Sequence, residues 1–404
     1  MPALLDGIRV IDCASFIAGP VAATILADFG ADVIKIEPPP HGDAYRHIVD
    51  APGNPACEEN YAWTVDNRNK RSLALDLKEA AGREVLHRMV RQADVFVTNT
   101  PLPARAHLGI QYEKLASLNE RLVYASLTAY GEQGREAGHT GFDSTALWAR
   151  SSLMDMVRAA PDAEPVRSLP GMGDHPTAVS LYAAIMTALF RRERTGRGTY
   201  VHTSLLANGV FWNGIQVQAM LCGAEFERRP ARTDATSALH NLYETRDGRW
   251  FHLVLIPEDK RWGPFLEAIE RPALASDTRF RDSTSRRKNA RALIATLDEV
   301  FRMRTWPDWR ARLERHGITY GLVGTLRDIP GDEQMRATGI ITPMPTGPDQ
   351  SAEWTVNSPL WIEDEPKPMP RRAPAVGEHS EEILAETGLS SPEIASLKDR
   401  GVIV

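Results

Sequence analysis

Cysteine is scarce in this chain: Cys13, Cys57 and Cys222 lie far apart among 404 residues. That spacing suits neither a zinc site nor a disulfide framework, and it fits a reducing cytosol. Long apolar runs are missing as well. The longest, residues 178–190, falls short of the roughly 20 residues that a bilayer-spanning helix needs, and the opening Met-Pro-Ala-Leu-Leu-Asp-Gly has neither the positive charge nor the apolar stretch of a signal peptide. A cytoplasmic protein without a membrane partner is expected. Excess positive charge is absent too. A net charge of -6 argues against a nucleic-acid partner, while leaving room for a local basic pocket that takes a phosphorylated ligand.

The signatures of several catalytic classes are also missing. The connection after the first strand reads Asp12-Cys13-Ala14-Ser15-Phe16-Ile17-Ala18-Gly19-Pro20, with no G-x-G-x-x-G to cradle a dinucleotide. No H-E-x-x-H or H-x-x-x-H pattern falls on a recognisable helix, and no serine sits in G-x-S-x-G. Metal-assisted and serine hydrolysis lose support, and no metal site is expected.

What remains is an ordinary globular composition, 43% hydrophobic and 25% charged, long enough for two or three domains. Residues 8–11 form a β-rich run, an Ala/Leu-rich helical segment follows Gly19-Pro20, and residues 33–36 read as a second strand. Strands at 72–75, 95–97 and 122–125, with a helix over about 78–91, continue the alternation, so the pattern predicts an α/β fold with a parallel sheet covered by helices. Residues 177–190 read as a buried helix that ends in a cationic turn and glycines, with a second helix near 204–221. A smaller unit follows the charged stretch 225–232. It carries a strand pair around Asp247-Gly248 and helices near 260–269, 287–301 and 306–316. Residues 343–374 are Pro-rich and read as an extended surface connection, before a last helix over about 380–386.

Asp174 is the carboxylate placed for chemistry. It closes Gly171-Met172-Gly173-Asp174-His175-Pro176 at the start of the buried helix. Proline is favoured at the first helical position, so Pro176 predicts His175 as the cap and Asp174 just outside the helix, its carboxylate free of capping. Two glycines permit close approach of a ligand, and the positive helix end favours the ionised acid. The bland alternative is an acid that decorates a helix start. Four cations in residues 67–78, Arg71 among them, could neutralise phosphates or form a solvated turn. Gly141-Phe142-Asp143 follows a Gly-rich loop and by itself means a flexible segment with a buried aromatic.

Together these segments resemble one family. Residues 5–12, Ala18-Gly19-Pro20, residues 26–38, Gly42-Asp43 with Arg46, Asn69-Lys70-Arg71-Ser72, Ala93-Asp94-Val95 with Asn99, Gly141-Phe142-Asp143, Gly173-Asp174, residues 194–198 and Gly377-Glu378-His379 with Glu382 and Leu384 closely resemble the family III CoA-transferases. This group includes formyl-CoA and crotonobetaine CoA-transferases, and the resemblance spans almost the whole chain. It implies transfer of coenzyme A from an acyl-CoA to a free carboxylic acid, with Asp174 as nucleophile and CoA a substrate rather than a tightly bound cofactor. It maps CoA contacts onto Phe16, Ile17, Leu75, Lys78, Asn99, Thr100, His107 and Leu108; Arg71, Gly141 and Phe142 complete the candidate set. The architecture implied is a Rossmann-like large domain from residues 1–210 and 330–404, a small α+β domain at 228–325, and an interlocked ring-shaped homodimer. Formyl-CoA transferase has glutamine at Ile17, arginine at His107 and a glycine-rich substrate loop not found here, which argues against oxalate and formyl substrates and for a larger, less polar acyl group. The α-methylacyl-CoA racemases share the fold and keep the aspartate, but their Gly-His-Asp triplet reads Gly141-Phe142-Asp143 here, and phenylalanine cannot exchange a proton. His139 is the nearby substitute that keeps this alternative open. A CoA-binding protein without turnover is a third class, which an intact Gly173-Asp174 does not favour.

Overall fold

The computed structural model describes residues 2–345 and 353–404, in two compact units. The larger combines residues 1–153, 167–222 and 334–404; the smaller combines 154–166 with 223–333. The smaller unit includes an earlier segment, held by Arg228, which pairs with Asp155 and donates to the Pro161 carbonyl.

Six parallel strands form the sheet of the larger unit: β1 (Arg9–Asp12), β2 (Asp32–Glu37), β3 (Arg71–Ala74), β4 (Val95–Thr98), β5 (Val123–Thr128) and β6 (Thr199–Ser204), in the order β3-β2-β1-β4-β5-β6. Alternate side chains leave opposite faces of a strand, and the sequence satisfies both. Val10, Val33, Val95, Val97, Val123 and Ala125 pack with the Ala18–Asp28 and Asp174–Thr195 helices. Ile11, Ile34, Ile36, Leu73, Phe96 and Tyr124 pack with the Ala80–Val90 helix and the chain's last two helices, Ser380–Glu386 and Ser391–Asp399. Burial of both faces explains why β4 and β5 read as continuous apolar runs.

β6 is an edge strand of mixed exposure, which its Tyr-Val-His-Thr sequence does not announce. The single helix expected near 204–221 is two, Leu205–Trp212 and Gly214–Leu221. The 343–374 stretch, part of which lies outside the described residues, is more than a surface connection. Trp354–Val356 pairs with Ile341–Pro343, and the buried Pro374 accepts hydrogen bonds from Trp63 Nε1 and Arg46.

The smaller unit has an antiparallel sheet, β7 (His240–Glu244), β8 (Trp250–Val254) and β9 (Thr319–Leu322). One face carries Tyr243, Phe251 and Leu253 into a core with Phe265, Phe301 and Trp309 from its helices. Among the described residues no helix is long and apolar enough to cross a membrane.

Candidate active site

The strand order reverses between β1 and β4, and in open parallel sheets ligands bind at such a point, beyond the carboxyl ends of the strands. A cavity of about 560 Å³ opens there. Its lining comes from the loops after β1 (Ser15 to Ala18), β4 (Asn99 to Pro101) and β5, from Gly141 to Ser144, and from the turn that ends at Asp174.

Three side chains fix the β1 loop. Asn99 Oδ1 accepts the Ser15 N–H at 2.8 Å, while its Nδ2 donates to the Ser15 carbonyl at 2.7 Å. Asp43 accepts the Phe16 N–H at 3.3 Å, and Lys35 bridges the Ala14 carbonyl to Asp43. Held at these points, Phe16 adopts a left-handed φ of 64°, uncommon for a bulky residue, and its ring stands edge-on to Phe142 at 5.8 Å. Phe142 is 59% exposed, so the aromatic pair faces the open cavity.

The Asp174–Thr195 helix starts two residues earlier than Pro176 predicts, with Gly173 as cap. Proline at the third helical position is equally harmless, because the first four N–H groups have no partner within the helix. Asp174 is therefore the first helical residue rather than a residue outside it, and its side chain caps nothing. A methyl group on Gly173 would sit 2.7 Å from Asp143 Cβ, which explains glycine there. Asp143 Oδ2 accepts the Gly173 N–H at 3.0 Å, and the Met172 N–H reaches the Leu169 carbonyl. These two amides are thus engaged within the fold. Burial and the neighbouring Asp143 push Asp174 up to about 7, with His175 opposing the rise. A carboxylate held near neutrality is basic enough to attack a carbonyl and can still leave.

Phe16, Ile17, Asn99, Thr100, Gly141 and Phe142 line the cavity together with Asp174. Leu75, Lys78, His107 and Leu108 do not line it. They follow the carboxyl ends of β3 and β4, along the same edge of the sheet, with Leu75 buried and bridged to Ile403 and with Lys78 and His107 exposed. Arg71 is placed apart from all of these: it begins β3 at the opposite edge and pairs with Asp32, Glu382 and Glu386. Two other cations of that stretch are engaged internally, Arg68 on Asp28 and Lys70 on Asp12. Charge alone signalled phosphate there; the partners, distant in sequence, were invisible.

Asp66 and Tyr45 were missed. Asp66 is fully buried, accepts from the Tyr45 hydroxyl at 2.6 Å, and lies 2.9 Å from His175 Nε2. No sequence pattern marks this contact across 109 residues. His139 also lines the cavity, with its ring edge-on to Tyr130. No group of three or more His, Cys, Asp or Glu among the described residues is arranged to hold a metal ion.

Comparison with known proteins gives one answer. The model for CoA-transferase family III matches residues 5–380. The chain is 31% identical to (R)-2-hydroxy-4-methylpentanoate CoA-transferase of Clostridioides difficile, over 99% of each chain. It is 30% identical to cinnamoyl-CoA:phenyllactate CoA-transferase of Clostridium sporogenes, over 99% of this chain and 98% of that one. A CAIB/BAIF family protein from Brucella suis superposes with a TM-score of 0.84 at 29% identity, covering 96% of this chain and 100% of that one. The chain belongs to CoA-transferase family III, and it is an acyl-CoA:carboxylate CoA-transferase.

Proposed function

We propose that Asp174 carries coenzyme A between acids through covalent intermediates. Its carboxylate attacks the thioester carbonyl of the donor, the thiolate of CoA leaves, and an aspartyl-acyl anhydride forms. The thiolate then attacks the aspartyl carbonyl and expels the donor's acid, which leaves an aspartyl-CoA thioester. The acceptor carboxylate attacks that thioester and the thiolate attacks the acceptor's acyl carbon, so that new acyl-CoA departs and Asp174 is restored. Carboxylate suits this work because it is both nucleophile and leaving group. The observation that carries the reading is one half-buried acid near neutrality in a largely apolar cavity at the sheet's switch point.

Phe16, Ile17, Asn99, Thr100, Gly141 and Phe142 are assigned to the reacting end of CoA and the acyl group, and Leu75, Lys78, His107 and Leu108 to the rest of the cofactor along the sheet edge. The apolar walls favour a branched or aryl acid, in keeping with the names of the two relatives. Neither relative supports the racemase alternative. A second copy of the chain is the natural cover for the face where Phe211 and Ile215 stand 83% and 84% exposed, and we assign the interlocked homodimer to it. Three unpaired cysteines suit the reducing cytoplasm.

Incubation with a panel of acyl-CoA donors and free acids, followed by mass spectrometry, should reveal new CoA esters. Exchange of the α-hydrogen with solvent without any exchange of acids would replace this reading by racemisation.

A further inference from the structure

Both ring nitrogens of His175 face groups that only accept hydrogen bonds. Nε2 lies 2.9 Å from Asp66 Oδ1, and Nδ1 lies 3.0 Å from the Gly171 carbonyl. A neutral imidazole carries one N–H and would turn a lone pair toward one of these oxygens; the imidazolium donates to both. We infer that His175 is a positioning residue that stays an imidazolium between Asp66 and Gly171, clamps the turn presenting Asp174, and favours the ionised form of that carboxylate. This rests on the reading of Asp174 as nucleophile.

The surroundings supply the charge that the imidazolium needs. From the Tyr61–Asn67 helix comes Asp66, with the Tyr45 hydroxyl on its other oxygen. Lys70 reaches only the main-chain carbonyl of Asp66, at 3.3 Å, and gives its charge to Asp12. Asp174 adjoins His175 on its own helix, and Asp143 stands behind the turn. Burial opposes the cation, yet Asp66, the Gly171 carbonyl and Asp174 carry His175 up to about 9. The ring keeps 45% of its surface accessible, so solvent screens the pair and protons exchange freely. The clamped residue is the one whose conformation needs help: Gly171 sits at a φ of 80°, and the His175 N–H also reaches its carbonyl at 3.1 Å.

The test uses the full-length protein. Nitrogen–proton correlation of its imidazoles at pH 7.5, with His175 assigned by its loss in H175Q, should show both nitrogens protonated. A neutral ring at that pH would overturn the inference, and this measurement needs no variant to be active. With a donor–acid pair that the wild type turns over, kcat/KM should fall as pH rises through about 9. In H175Q that alkaline fall should vanish and the acid limb should move up by about one pH unit, roughly a tenfold loss at pH 6, with the donor's KM little changed. D66N, which takes away the charged partner of the imidazolium, should move the alkaline fall down from about 9. An unmoved acid limb in folded H175Q, beside a D174A variant without transfer, would remove this inference alone. Transfer that survives D174A would remove the nucleophile reading and this inference with it.

Discussion

Beneath the β1 loop, Asp12 meets Lys70 at 2.8 Å and Asp43 meets Lys35 at 2.9 Å, with all four side chains at most 1% exposed. Beside the cavity, Asp174 has Asp143 and Asp66 for carboxylate neighbours and His175 as the nearby cation. The two groups differ in what burial does to them. In the first, each carboxylate has a fixed partner, and the charges work as rivets for the main chain of residues 12–16. In the second, acids crowd one another, so a proton is retained on Asp174 near neutrality and the group stays reactive. Stability and reactivity are thus drawn from the same ingredient in adjacent parts of one sheet edge, and substitutions separate them.

The largest effect belongs to Asp174→Ala. Transfer should fall by about a thousandfold or more, while circular dichroism and the melting transition keep their native form; substantial residual turnover would dissolve the contrast. Lys70→Met should act on the other group. It leaves Asp12 buried without its cation, and urea titration should show a loss of about 3–5 kcal/mol. A protein of unchanged stability would mean that the rivet is ornamental.

A subtler separation comes from pH. The folded Asp174 keeps its proton up to about 7, whereas an unfolded aspartate releases it near 3.8. Between those values the folded state binds more protons, so this group's contribution to stability declines as pH rises, while activity climbs through the same window. Asp174→Asn should therefore gain in melting temperature relative to wild type at pH 8 and gain little at pH 4. Asp143→Asn keeps an acceptor for the Gly173 N–H but removes a like charge, so the acid limb of kcat/KM should move to lower pH; a move to higher pH would contradict the crowding argument. The smallest effect expected is that of Phe142→Ala. It opens the edge-on pair with Phe16 and should cost about 0.5–1.5 kcal/mol in kcat/KM, more for aryl than for short acids.

Legibility in the sequence follows the range of the interactions. β4 and β5 announce themselves because both faces are buried, and Asp174 stands out through its glycines and the apolar helix behind it. β6 does not, since an edge strand with Tyr200 and His202 carries no run or clean alternation. Pro176 misled by two residues because proline is harmless at any of the first helical positions. Arg71 looked like a phosphate ligand because charge is local information and its partners Glu382 and Glu386 lie more than 300 residues away. The Asp66–His175 contact was illegible for the same reason.

Val402 and Ile403 are each 1% exposed within the core that also holds Leu73 and Leu75, and Ile403 bridges to Leu75. That late arrival has a meaning for synthesis. Residues 223–333 leave the ribosome with their own aromatic core complete apart from distant support, so the smaller unit can fold while translation continues. The part of the sheet's second face that the last two helices and Val402 and Ile403 cover stays open until residues past 400 have emerged. During that interval the strand that borders the proposed CoA edge is an exposed apolar surface, and it is there that a stalled or truncated chain would aggregate or meet a chaperone.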